Sequence, residues 1–133
     1  PLEKFTSSKA VQSLDEKLVF TKIKNIQELE FAIKNSDKPV MLDFWASWCV
    51  ACKEFEEITF KDEEVIKKLQ GFTLLKADVT ANNDDDKALQ KMFGIVGPPG
   101  IIFWDKDKKE ITSSKIVGYK NPKEFLEILN KNF

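Results

Sequence analysis

The sequence predicts an α/β fold: a central, mixed but mostly parallel sheet with helices on both faces. Three observations predict it. Apolar runs of strand length alternate along the chain with stretches of helical period. The run Pro39 to Trp45 is apolar on both faces apart from Asp43, as expected of a strand buried in mid-sheet. Near the C-terminal end, the polar turn Asp105 to Lys109 separates two short runs and adds an antiparallel hairpin. The 133 residues suit one domain able to bury a core without staples.

Residues Pro1 to Lys17 show no steady period and read as a loose arm or linker remnant, so the domain spans Leu18 to Phe133. Leu18 to Ile23 suits a strand, and Leu29, Ala32 and Ile33 recur at helical spacing after Asn25. Val40 to Trp45 is the candidate central strand. From about Cys49 the period turns helical, with Cys52, Phe55 and Glu56 near one face; it breaks around Thr59 to Lys61 and resumes behind Asp62, an N-cap for Val65, Ile66 and Leu69. Phe72 to Val79 reads as a strand, Ala88 to Phe93 as the end of a helix stopped by Gly94, and Ile101 to Trp104 as a strand. Glu110 to Val117 completes the hairpin. Asn121-Pro122-Lys123-Glu124 supplies an N-cap, an N1 proline and an N3 acid for a last helix carrying Phe125, Leu126, Ile128 and Leu129. The order is β-α-β-α-β-α-β-β-α, with right-handed helical crossovers joining parallel strands until the final hairpin.

Composition narrows the function. Lys plus Arg number 21 against 22 Asp plus Glu, a net charge of −1, which leaves no cationic excess for nucleic acid or an anionic membrane surface. No apolar run approaches the roughly 18 to 20 residues that cross a bilayer, so this segment is not expected to insert into a membrane. The absence of histidine removes Ser-His-Asp and Cys-His nucleophile systems. A start at Pro1, without an initiator methionine, suggests a processed chain or a fragment.

The two cysteines, Cys49 and Cys52, stand where the central strand should turn into a helix. A sulfur in a helix's first turn faces unpaired N–H groups and the positive end of the dipole, which favour the thiolate that attacks disulfides. Cys49 is the expected nucleophile. Cys52, almost one turn on and more sheltered, is the expected resolving thiol. Intramolecular zinc is not expected, because a structural site needs two further Cys or His ligands and the chain has none. Two cysteines serving only as small core hydrophobes is the competing reading.

Phe44-Trp45-Ala46-Ser47-Trp48-Cys49-Val50-Ala51-Cys52-Lys53, followed later by Gly97-Pro98-Pro99 before an apolar strand, resembles the thioredoxin superfamily over about Leu18 to Phe133. Cys49 to Glu56, Thr59-Phe60 and Asp78-Val79-Thr80-Ala81-Asn82 resemble more narrowly the C-terminal periplasmic domains of DsbD-type transmembrane electron transporters. The resemblance implies a thioredoxin-like fold and a periplasmic thiol-disulfide oxidoreductase. It would take electrons from a membrane-embedded donor domain and pass them to periplasmic acceptors, with no cofactor beyond its own disulfide. A freestanding periplasmic thioredoxin serving cytochrome c maturation and a redox-inert binding module on the same fold are the alternatives.

Asp43, amid Val40, Met41, Leu42, Phe44 and Trp45, should have its ionised form disfavoured by burial. It is either a hydrogen-bonded core acid or, as the resemblance implies, the acid beneath the cysteines that exchanges protons with Cys52. Glu56 is either an ordinary exposed helix acid or, in the DsbD-like reading, a second acid near the cysteines that opposes thiolate formation. Acids that penalise the thiolate favour a reductant over an oxidant. The resemblance makes the bond before Pro99 cis and places Trp48, Pro98 and Pro99 at the partner-binding rim, although Pro98 has no N–H to offer a partner strand. Lys76 could approach Asp43, a point that strand parity leaves open. The acidic run Asn82 to Asp86 reads as a solvated first helical turn in preference to a calcium loop.

Overall fold

The computed structural model describes residues 17–133. The predicted arm therefore lies outside the described residues, save for Lys17. The elements in order are β1 (Thr21–Lys22), α1 (Ile26–Lys34), β2 (Val40–Trp45), α2 (Val50–Glu57), α3 (Glu63–Leu69), β3 (Thr73–Asp78), α4 (Asp84–Met92), β4 (Gly100–Trp104), β5 (Ile116–Val117) and α5 (Pro122–Asn132), with short 3-10 turns at Thr59–Lys61 and Thr112–Ser114. The five strands form one sheet in the order β1-β3-β2-β4-β5. β2 is its middle strand, as its two-sided apolar sequence requires.

Alternation along β2 divides the core in two. Val40, Leu42 and Phe44 face a cluster closed by Leu29 of α1 and Leu89 of α4. Met41 faces the opposite cluster, where Phe55 of α2, Val65 and Leu69 of α3, and Phe125 and Leu129 of α5 pack against Phe103. Helices thus cover both faces. The helix starts follow their cap residues: Asp62 accepts the N–H groups of Glu64 and Val65, and Asn83 with Asp86 and Asn121 with Glu124 form reciprocal capping boxes. The acidic run does open α4, with Asp84 and Asp85 exposed, but Asp86 turns inward and is buried in its cap.

Three strand expectations change. Of the predicted strand Glu110 to Val117, only Ile116 and Val117 form a strand, with Glu110 making a single bridge to Trp104 and Thr112–Ser114 a 3-10 turn. β1 is shorter than Leu18 to Ile23: only Thr21 and Lys22 pair with β3, opposite Leu75 and Lys76, and the Ile23 N–H extends the contact to the Lys76 carbonyl at 2.9 Å. β4 runs antiparallel to β2, not parallel, with Val40 opposite Trp104 and Phe44 opposite Gly100. α4 and the following loop return the chain at the Trp45 end of β2, so β4 has to run the other way. A helical period shows that a helix intervenes, but not at which end of the sheet it leaves the chain. Among the described residues, no helix is long and apolar enough to cross a membrane.

Candidate active site

β2 delivers the chain through Ala46, Ser47 and Trp48 to Cys49, which is the N-cap of α2. Its sulfur accepts the Cys52 N–H at 3.1 Å, and no acid stands in the helix's first turn to offset the dipole. Cys49 and Cys52 form a disulfide with Cα atoms 5.3 Å apart. They are therefore joined, not independent packing residues. Both are buried, Cys49 at 5 % exposure and Cys52 at 2 %, so Cys52 is the more sheltered by only a small margin. Cys52 Sγ lies 3.8 Å from the Phe44 carbonyl oxygen, next in the chain to Asp43.

Thr80, absent from the expected site, holds the loop before the disulfide. Its hydroxyl oxygen accepts the Ser47 N–H at 2.9 Å, its carbonyl accepts Trp48 Nε1–H at 3.2 Å, and its own N–H and hydroxyl donate to Asp78. The sequence signal was the Asp78-Val79-Thr80 motif itself, a strand end followed by a hydroxyl residue able to bond in two directions. Burial pushes the Asp78 carboxyl up, but the two Thr80 hydrogen bonds and the charges of Lys22 and Lys76 outweigh it and hold the group below its ordinary value.

Asp43 and Glu56 meet around Lys76. Asp43 and Lys76 are register partners on β2 and β3, and Lys76 Nζ lies 3.2 Å from Glu56 Oε2. The ammonium also sits 4.9 Å from the centre of the Trp45 ring and 5.6 Å from that of Phe20, within cation–π range. Asp43 is buried, with its pKa raised to about 7 by loss of water, moderated by the Lys76 charge and reinforced by that of Glu56. Glu56 is 40 % exposed and ion-paired, so it is neither a free surface acid nor a buried one. A cavity of about 540 Å³ is lined by Asp43, Glu56 and Lys76 together with Phe20, Phe60 and Ile66. The four expected catalytic residues thus form two groups, two sulfurs at the start of α2 and two acids around a lysine. Cys52 connects them, one helical turn before Glu56 and against the backbone beside Asp43.

The rim is apolar. Trp48 is 60 % exposed, and Val50 and Val96 are also open to solvent. The Pro98–Pro99 bond is cis; Pro99 is buried and its carbonyl accepts the Gly118 N–H, while Pro98 is half-buried. Trp45 packs half-buried beneath, and its indole N–H is buried without a hydrogen-bond partner.

Comparison with known proteins agrees with this geometry. A family model described as a thioredoxin-like domain matches residues 27–133. The chain belongs to the thioredoxin-like family. Within it, the chain belongs with the DsbD C-terminal domains: it is 31% identical to that of Neisseria meningitidis in its oxidised form, covering 87% of this chain and 100% of that one with a TM-score of 0.69. It is 43% identical over 127 residues to the thiol:disulfide interchange protein DsbD of Pectobacterium atrosepticum, covering 96% of this chain and 22% of that protein. The chain spans about a fifth of the length of such curated relatives. Yeast mitochondrial thioredoxin 3 shares the fold at a TM-score of 0.65 and 27% identity, over 84% of this chain and 94% of that one. Fold, family and paired cysteines make this domain a thiol-disulfide oxidoreductase.

Proposed function

We propose that this domain is the reducing arm of a DsbD-type transporter, drawing electrons from a membrane-embedded donor and passing them to disulfide-bearing acceptors in the periplasm. Its only redox group would be the Cys49–Cys52 couple, with no cofactor. The observation that carries the reading is the disulfide at the start of α2 with a dry acid, Asp43, beside the Phe44 carbonyl on which Cys52 rests. Cys49 as thiolate attacks a sulfur of the acceptor disulfide, forming a mixed disulfide and releasing one acceptor thiolate. Cys52 gives its proton to Asp43 as its sulfur attacks Cys49, closing Cys49–Cys52 and releasing the second acceptor thiolate. Two electrons have then moved from the domain to the acceptor.

Direction follows from charge. The helix start favours the Cys49 thiolate, whereas Glu56, and Asp43 once ionised above about pH 7, add negative charge nearby, and a dithiol whose thiolate is held back gives electrons away more readily. Trp48, Pro98 and Pro99 would form the docking rim, with apolar contact standing in for the N–H that Pro98 lacks. The test is equilibration of the domain with glutathione, alongside insulin reduction by wild type and Cys49→Ser. We expect a couple more reducing than glutathione and loss of reduction in the variant. A couple as oxidising as a dedicated disulfide donor would reverse the assigned direction, and equal activity in Cys49→Ser would leave an inert binding module.

A further inference from the structure

The cavity beside Asp43 has walls of unequal strength. On one side stand Asp43 and Lys76 from paired strands, Glu56 from α2, Phe60 and Ile66; on the other stand Lys17, Leu18 and Phe20, which precede β1 and belong to no helix or strand. β1 itself contains only two residues. Phe20 is held by its ring, 5.8 Å from that of Phe60 and under the Lys76 ammonium, while the neighbouring Val19 is 80% exposed. Ring contacts of this kind are individually weak beside the packing of the core. This edge therefore opens at far smaller cost than the whole fold.

We propose that Phe20 is a positioning residue for the redox reaction: its ring is the movable wall that keeps water from the Asp43 carboxyl. The placement of the Lys17–Phe20 stretch then adjusts how readily that acid takes a proton from Cys52 and returns it to solvent. The charged groups facing the carboxyl are Lys76 from β3 and Glu56 from α2, with Lys17 and Lys61 also lining the cavity. The Lys76 contacts with Glu56 and Trp45 do not involve the Phe20 ring. The main consequence of removing it is therefore a wider opening of the cavity to solvent, and since loss of water is the largest influence on Asp43, more water at the carboxyl moves its proton affinity down. The meaning of this wall for turnover rests on the proposed role of Asp43 as proton carrier.

The experiment is an NMR titration of the Asp43 carboxyl carbon in the oxidised domain, where the cysteines do not titrate, paired with the pH profile of disulfide reduction. In Phe20→Ala the midpoint should fall by about one pH unit, a tenfold change in proton affinity. Phe20→Leu should move it less in the same direction, and Phe31→Ala, on the exposed side of α1, should leave it in place. An unmoved or raised midpoint in folded Phe20→Ala overturns the wall, and Phe20→Leu decides the matter in the same way if the alanine variant does not fold. A lowered midpoint with an unmoved rate profile would instead remove Asp43 from proton transfer, and Phe20's positioning role with it.

Discussion

Asp43 and Asp78 lie on neighbouring strands, both feel the Lys76 charge, and they come out opposite. Asp43, in mid-strand, loses most of its water and its pKa rises to about 7. Asp78, at the end of β3, keeps contact with solvent and gains two hydrogen bonds from Thr80, and it is held below its ordinary value. One residue type thus serves two purposes. Where water is removed and no donor replaces it, a carboxyl titrates near neutrality; where donors replace it, the carboxylate becomes a fixed anchor. Here the anchor secures the loop that carries Trp48 and leads to the disulfide.

The pH dependence of stability is the widest way to separate the two acids. Folded Asp43 retains its proton up to about pH 7, while the unfolded chain loses it near pH 4, so between these values the folded state binds more protons and stability must fall as pH rises. The fall should total on the order of 4 kcal/mol and level off above pH 7. Chemical denaturation across that range should show the slope in wild type and lack it in Asp43→Asn. Asp78 has the opposite sign: its contribution is present above the unfolded value and is lost as pH falls through the lowered folded one, so Asp78→Asn should leave the slope between pH 4 and 7 intact.

Turnover sharpens the contrast. Asp43→Asn should slow disulfide reduction by about 10²-fold at neutral pH, since an amide cannot accept the Cys52 proton, and Asp78→Asn should change it much less. Equal losses in the two variants would erase the distinction between carrier and anchor. Thr80→Val should cost about 2 kcal/mol in thermal unfolding by removing the hydroxyl that joins Ser47 to Asp78, with a change in Trp48 fluorescence as the loop loosens. The smallest effect comes from Lys76→Met: both acids should bind protons more tightly, Asp43 more than Asp78, because Lys76 is the leading opposing charge on the first and a lesser influence on the second.

Much of this was legible from residue order. The break at Thr59 to Lys61 and restart behind Asp62, the Gly94 stop and the Asn121–Glu124 cap are local events, decided by side chains reaching one to four backbone positions away. The cysteine pair was legible for the same reason, since three residues at a helix start place two sulfurs within bonding reach. Lys76 was not assignable, because a one-residue change of register would turn it to the other face of the sheet. Thr80 and Phe20 were missed because each acts on a segment far away in the chain, Thr80 on Ser47 and Trp48, Phe20 on Phe60 and Lys76.

Residue order alone settles the alternation of helices and strands, the burial of β2 on both faces, and the presence of two sulfurs where a helix begins. Those properties depend on period, capping and composition, all short-range. The assembled fold is needed to see that β4 reverses direction, that Asp43, Lys76 and Glu56 share one cavity, and that Thr80 secures the loop leading to the disulfide. Each of these depends on which strands become neighbours and in what register, which is set by the packing of the whole chain.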